Sequence, residues 1–244
     1  MAKAGHTVTG LNFDEYMHRK IESKAAGMGN IAWRKADVIR DGWGSGFDVV
    51  VLAGNFLMNL ISDMDYEEAQ RLLFRKAADA LVPGGCIYID YGYTMHPENW
   101  FHAPGENVIW QGTDSEGNTG RMILFNSTFD KERSISRFIR RFELTLADGS
   151  KIKEDIPSLK HFAALEQVHT WLSSNGFIVV KEYGDYHRSP ISEGKSILAF
   201  ALYYLQVSHQ EAGVAKSHLG KKQQRMLSVL ILGKISKGRD TGEN

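Results

Sequence analysis

The spacing of apolar residues changes twice along the chain. Residues 6–11 read as a short strand. Residues 14–26 have helical composition, with Gly27 and Gly29 to end the helix. Residues 31–36 form a second strand pattern. Residues 47–53 are a near-continuous apolar run, which suits a parallel strand covered on both faces. The clearest amphipathic helix spans 66–81, with Ala69, Leu72, Leu73, Ala77, Ala80 and Leu81 near one face. Pro83, Gly84 and Gly85 stop it, and 86–91 return to strand. Such alternation predicts a parallel sheet with helices on both faces. Ligands of such sheets lie beyond the carboxyl ends of the strands. Here those ends are Leu11–Asn12, Ala36–Asp37, Ala53–Gly54–Asn55 and Asp90–Tyr91.

The middle of the chain alternates with period two. Residues 108–111, 121–129, 135–146 and 151–154 read as antiparallel strands, and Asp148–Gly149 supplies a hairpin turn. Residues 164–174 return to helix with Gly176 as its stop, and 177–183 and 196–205 read as a closing pair of strands. Beyond 206 the pattern weakens. Lys216, Lys221, Lys222, Arg225, Lys234, Lys237 and Arg239 make this stretch basic, and the apolar run 226–232 inside it reads either as an appended helix or as part of a tail. The expected organisation is a core at 1–105, an antiparallel cap that selects the substrate at 106–160, a return to the core at 161–205 and a basic tail at 206–244.

The 244 residues suffice for one large α/β domain or two small ones. Lys plus Arg and Asp plus Glu each number 29, so the formal net charge is zero. That balance argues against nucleic-acid binding through bulk charge. The single cysteine, Cys86, excludes an internal disulfide and argues against a cysteine-based zinc site. His96, His102, His161, His169 and His187 show no metal-ligand spacing, so no metal is expected. The longest apolar stretch, 47–61, is broken by Asp48, Gly54, Asn55 and Asn59, so no membrane span is expected. The first ten residues lack a secretory pattern. A soluble, cytoplasmic protein is the expectation.

Several segments carry a family resemblance. G-H-T-V-T-G-L-N-F-D-E-Y-M at 5–17 resembles the second strand and following helix of class I S-adenosylmethionine-dependent methyltransferases. A-D-V at 36–38, F-D-V-V-V-L-A-G-N at 47–55, L-V-P-G-G-C-I-Y-I-D at 81–90 and N-G-F-I-V-V-K-E-Y-G-D-Y at 175–186 follow in the family's order. The resemblance covers about residues 2–205. It implies a Rossmann-like, doubly wound sheet with an antiparallel β insert after the family's fifth strand. It also implies an N-terminal truncation, because the family's first strand and its G-x-G-x-G loop precede the stretch that begins here. That strand is usually central, and its loss would expose two neighbouring edges open to pairing with a second copy.

The implied activity is transfer of a methyl group from S-adenosyl-L-methionine to a small-molecule acceptor, an amine being the first choice. The alternative is a truncated or degenerate relative without catalysis, acting as a binding module. A-G-N-F-L-M-N-L and I-D-Y-G-Y most resemble the glycine and sarcosine N-methyltransferase branch. Where that branch carries an arginine for the substrate carboxylate, this chain has Gly92. By the resemblance, Gly10, Asn12, Asp37, Val38, Ala53, Gly54 and Asn55 would line the cofactor. Asn12 stands in the place of an acidic ribose acceptor, Asp37 would accept from the adenine amino group and Val38 would pack on its ring. Asp14 reads as a partner of the ribose or as a helix N-cap. The candidates for chemistry are Asn55, Tyr91, Tyr93, Arg140 and His187. Tyr91 and Tyr93, with Tyr186, could line an aromatic acceptor pocket or simply pack at strand ends. Arg140 could replace the missing arginine, pair with an acid or reach solvent. His187 could deprotonate an acceptor.

Overall fold

The computed structural model describes residues 1–60, 62–93, 96–98, 105–191, 199–200, 204–207 and 225–229. The chain divides into two units, one of residues 1–95 with 163–234 and one of residues 96–162 with 235–244.

The first unit is built on a seven-stranded sheet. Its strands are β1 (Thr7–Asn12), β2 (Ile31–Lys35), β3 (Phe47–Leu52), β4 (Leu81–Ile89), β10 (Phe177–Lys181), β12 (Tyr204–Val207) and β13 (Arg225–Val229). The short pair β5 (Gly92–Tyr93) and β11 (Ala199–Phe200) forms a separate two-stranded sheet. The order across the large sheet is β10-β12-β4-β3-β13-β1-β2. β4, β3, β13, β1 and β2 are mutually parallel, while β12 runs against both β4 and β10.

Helix α1 (Glu15–Lys24) connects β1 to β2, and α2 (Tyr66–Ala80) connects β3 to β4. The two crossovers progress outward from the middle in opposite directions, which makes the centre of the sheet a topological switch point. Asp14 caps α1 by accepting the Met17 amide at 2.9 Å. Asp65 caps α2 through the Glu67 amide at 3.0 Å. The periodic positions of α2 bury Ala69, Leu73, Phe74, Ala77 and Ala80. They meet α3 (Leu165–Ser174), whose Trp171 ring lies 5.8 Å from that of Phe74. Leu11, Val50, Leu52, Ile87 and Ile89 complete this core from the strands, all with no measurable exposure. The turn before the apolar part of β4 needs glycine, since a Cβ on Gly85 would stand 2.9 Å from the Val82 carbonyl.

The main departure from the sequence reading concerns the centre of the sheet. The slot expected to lack a strand is filled by β13, from the stretch read as a tail. Thr9 and Val50 both stand in register with Leu227, one on each side. The run expected as an appended helix or tail is therefore a strand over 225–229, hydrogen-bonded on both edges. Its short apolar pattern could not by itself separate strand from helix. The rest of that run, 230–232, lies outside the described residues.

The second unit is an antiparallel meander of β6 (Asn107–Thr113), β7 (Thr119–Asp130), β8 (Ile135–Thr145) and β9 (Lys151–His161) in sequential order. Asp148–Gly149 forms the β8–β9 turn, with Gly149 at φ 83°. The β6–β7 turn is held by Asp114, which accepts the Glu116 and Asn118 amides at 2.9 Å each. β9 runs well past the four residues expected for it. Lys153, Glu154 and Asp155 are exposed strand positions there, and their charge masks the alternation in the sequence. No helix among the described residues is long and apolar enough to cross a membrane.

Candidate functional site

At the carboxyl edge of the first unit, two neighbouring strand ends hold each other. β3 ends into Ala53–Gly54–Asn55, and β4 ends into Asp90–Tyr91–Gly92. Gly54 and Asn55 have φ of 82° and 61°, a left-handed turn that glycine and asparagine adopt most readily. Asp90 is buried, 3% exposed. One of its oxygens accepts the Gly54 and Asn55 amides at 2.7 and 2.9 Å. The Asn55 side-chain oxygen in turn accepts the Gly92 amide. The second carboxylate oxygen of Asp90 accepts the Tyr186 hydroxyl at 2.8 Å. Each strand end thus supplies the side chain that fixes the other's backbone, and a segment almost a hundred residues later locks the pair.

Asp90 meets the requirement that a buried carboxylate be supplied with donors. Desolvation of the phenol, followed by the hydrogen bond to Asp90 and its negative charge, pushes the Tyr186 hydroxyl above its ordinary range. It therefore stays a proton donor across the physiological range. The ring itself is 57% exposed. Among the described residues, nothing lies within 4 Å of where a Cβ on Gly54 would stand. The arrangement gives a rigid, open rim without a nucleophile–base pair. Among the described residues no cluster of His, Cys, Asp and Glu could hold a metal.

The other cofactor candidates divide. Asp37 follows β2 half-buried, and one oxygen accepts the Ile39 and Arg40 amides at 2.9 and 3.3 Å. Its second oxygen lies 3.9 Å from Arg40 Nε. Asn12 ends β1 but is 1% exposed, and its side-chain oxygen accepts the Asp14 amide at 2.7 Å. That oxygen is committed to shaping the turn into α1. Val38 differs from expectation. It packs in the core, 7% exposed, while its carbonyl accepts Trp43 Nε1 at 2.9 Å and Lys76 Nζ at 3.0 Å. Gly10 differs too, for the indole of Trp33 lies over it. A Cβ there would come within 2.3 Å of that ring.

Of the candidates for chemistry, Tyr91 is a core residue at 2% exposure, which removes it from an open aromatic pocket. Tyr93 pairs with Ala199 in the short β5–β11 ladder. His187 is exposed in the turn after Asp185, whose carboxylate accepts the His187 amide at 2.8 Å. Arg140 belongs to β8 in the second unit. His102 lies outside the described residues. Asp90 is the organising residue that the candidate set omitted. A strand-ending aspartate is visible in the sequence, but its partners at Gly54, Asn55 and Tyr186 are not, because they lie 35 to 96 residues away.

No protein-family model matches the chain, and no curated protein matches it by sequence. Solved structures do. An S-adenosylmethionine-dependent methyltransferase from Clostridium acetobutylicum superposes with a TM-score of 0.61 at 12% identity, covering 83% of this chain and 85% of that one. The CcbJ methyltransferase of Streptomyces caelestis gives 0.62 at 17% identity, covering 85% and 77%. CalS10, an amino pentose methyltransferase of Micromonospora echinaspora, gives 0.56 at 12%, covering 85% and 86%. The fold is that of S-adenosylmethionine-dependent methyltransferases.

Proposed function

We propose that the protein transfers a methyl group from S-adenosyl-L-methionine to a small-molecule acceptor, with an amine as the accepting group. The carrying observation is the braced, open rim formed by Gly54, Asn55 and Asp90 beside the switch point of the sheet. Its fit to a cofactor rests on the open space at Gly54, where backbone can come close to a ligand. Asp37 offers a second carboxylate oxygen that accepts no backbone amide among the described residues, suited to the adenine amino group. Ala53, Gly54 and Asn55 would form the wall along the rim. Asn12, with its oxygen spent on Asp14, would act from behind, holding the β1 end in place. Three of the original cofactor candidates, Gly10, Val38 and Asn12, then serve the shape of the rim.

When bound, the cofactor supplies an electrophilic methyl on sulfur. An acceptor amine held beside Gly54 and Asn55 would attack that methyl in line, with the thioether as leaving group and the amine's proton lost to solvent. Such a displacement asks the protein for alignment and exclusion of water rather than for a strong acid or base. The rim supplies stiffness, since neither strand end can move without breaking the other's hydrogen bond. The amine reading has support from CalS10 and from KedS8, a sugar N-methyltransferase with a TM-score of 0.54 and 14% identity. Gly92, in place of the arginine of the glycine and sarcosine branch, favours an acceptor other than glycine itself.

Calorimetry with S-adenosylhomocysteine tests the cofactor, and labelled S-adenosylmethionine with an amine panel tests the reaction. Saturable binding and label on an amine are expected. Binding without transfer to any acceptor would leave a binding module. Absence of binding would overturn the proposal.

A further inference from the structure

The meander has two outer strands, and the sequence treats them in opposite ways. Among the described residues β6 pairs with β7 alone and β9 with β8 alone. β9 carries Lys151, Lys153, Glu154 and Asp155 at exposed positions, followed by an exposed Pro157. Charge and proline guard an open edge, since either makes pairing with another strand costly. The β6 sequence, N-V-I-W-Q-G-T, carries neither charge nor proline. Val108, Ile109 and Trp110 stand 50%, 54% and 57% exposed in a row.

The backbone of β6 points outward over the regular part of the strand. The Asp114 amide donates to the Asn118 carbonyl at 2.9 Å. Antiparallel partners bond at alternate residues, so Gly112 and Trp110 turn their amides and carbonyls to β7, while Gln111 and Thr113 turn theirs away. The ladder is irregular between Val108 and Trp110, which confines regular pairing on the outer side to 110–113.

Trp110 adds an anchor. Its indole lies against the Gly112–Gly120 pair, for a Cβ on Gly120 would stand 3.1 Å from the ring and one on Gly112 3.3 Å. Trp110 stands opposite Met122, and Met122 opposite Phe142. In the next row Gly120 stands opposite Leu144, and Leu144 opposite Ile152. The two rows share a face. Phe142 and Ile152 are 36% and 52% exposed on it. An apolar surface of this kind beside an unguarded edge marks an association site.

We propose that β6 pairs antiparallel with β6 of a second copy across a two-fold axis. The two meanders join into one eight-stranded sheet, with both Trp110 side chains on one face beside the seam. Charge selects this occupant. The contact is isologous, so the partner brings the same uncharged strand and the same apolar face. The formal net charge of the chain is zero, so two copies meet without overall repulsion. Arg121, Glu143 and Lys153 pair with one another on the opposite face and stay clear of the Trp110 surface. The contact lies within the second unit and does not depend on methyl transfer.

Sedimentation velocity of the full chain from about 1 to 100 μM tests it. A mass rising from one chain to two is expected. Amide hydrogen exchange on the same samples should slow at Gln111 and Thr113 as the dimer forms and stay unchanged along β9. Gln111→Lys sets like charges across the seam, and Trp110→Ala removes the anchor. Each should weaken association about tenfold or more. Lys153→Gln, on the guarded edge, should leave it unchanged. A chain that stays single throughout overturns the proposal and leaves the edge to a strand of a different protein. Association retained at full strength in a folded Gln111→Lys variant overturns it too. Gln111 is exposed, so its variant decides the matter should Trp110→Ala misfold.

Discussion

The two sheets place polar chemistry in different locations. In the parallel sheet the inner strands bury mostly apolar side chains, such as Leu11, Val50, Leu52, Ile87 and Ile89. Asn12, Asn55 and Asp90 therefore cluster at or just beyond strand ends, where backbone groups lose their ladder partners and side chains replace them. In the antiparallel meander one residue in two can face solvent, and charge spreads across whole faces as Arg121–Glu143–Lys153 and Glu106–Arg141–Asp155 rows.

The sharpest break of this comparison is proline. Leu227 lies in β13, paired with β1 on one side and β3 on the other. Leu227→Pro removes an amide from the middle of a central strand and should cost about 3 kcal/mol or more, enough to unfold a marginal domain. Ile109→Pro is the counterpart. β6 is an edge strand, and its ladder with β7 is already irregular between Val108 and Trp110. Denaturant unfolding should show a much smaller loss. Equal midpoints for the two variants would refute the central place of β13.

A pair of glycines sharpens it next. Gly10→Ala forces a methyl against the Trp33 indole and should destabilise by about 1–3 kcal/mol. Gly54→Ala meets no neighbour among the described residues but must hold a positive φ, and should cost about 1 kcal/mol. If the rim binds the cofactor, Gly54→Ala should in addition weaken S-adenosylhomocysteine binding out of proportion to its loss of stability. Gly10→Ala should not, since Trp33 already fills that space.

The brace comes third. Asp90→Ala leaves the Gly54 and Asn55 amides and the Tyr186 hydroxyl without their acceptor and should cost about 1–3 kcal/mol. Tyr186→Phe removes one donor and leaves both amides held, so its cost should be nearer 1 kcal/mol. Thermal melts rank the two, and the reverse order would mean that the phenol, rather than the backbone, is what Asp90 serves.

The sequence made the parallel frame legible because burial on both faces writes itself as apolar runs, as at 47–53, and because a strong helix period survives at 66–81. Asp14 and Asp148–Gly149 were readable for local reasons, a cap and a turn being set by neighbours in the chain. The centre of the sheet was not. The β13 segment is five residues long, ringed by lysines, and joins strands more than 170 residues away. No local signal reports such a pairing. Gly10 shows the same limit at the site. A glycine in a strand announces that something comes close, but the sequence cannot say whether a ligand or, as here, a tryptophan from the next strand is what approaches. Val38 and Tyr91 follow suit, since being near a strand end does not decide which side of the backbone faces the core.

The smallest effect belongs to the charged rows of the meander. Hydrogen bonds from Arg121 hold Glu143 below the usual carboxylate range, and those from Arg141 do the same for Asp155. Carboxyls depressed on folding contribute stability that is fully present above their unfolded values and is lost as the pH falls through the folded ones. The rows should therefore be silent near neutrality and weaken the meander only in acid, below about pH 4. Lying at the surface, they should also fade with added salt. Carbon-detected titration of Asp155 in the folded chain checks the sign directly. A midpoint at or above that of an aspartate in the unfolded chain would mean that Arg141 does not stabilise it.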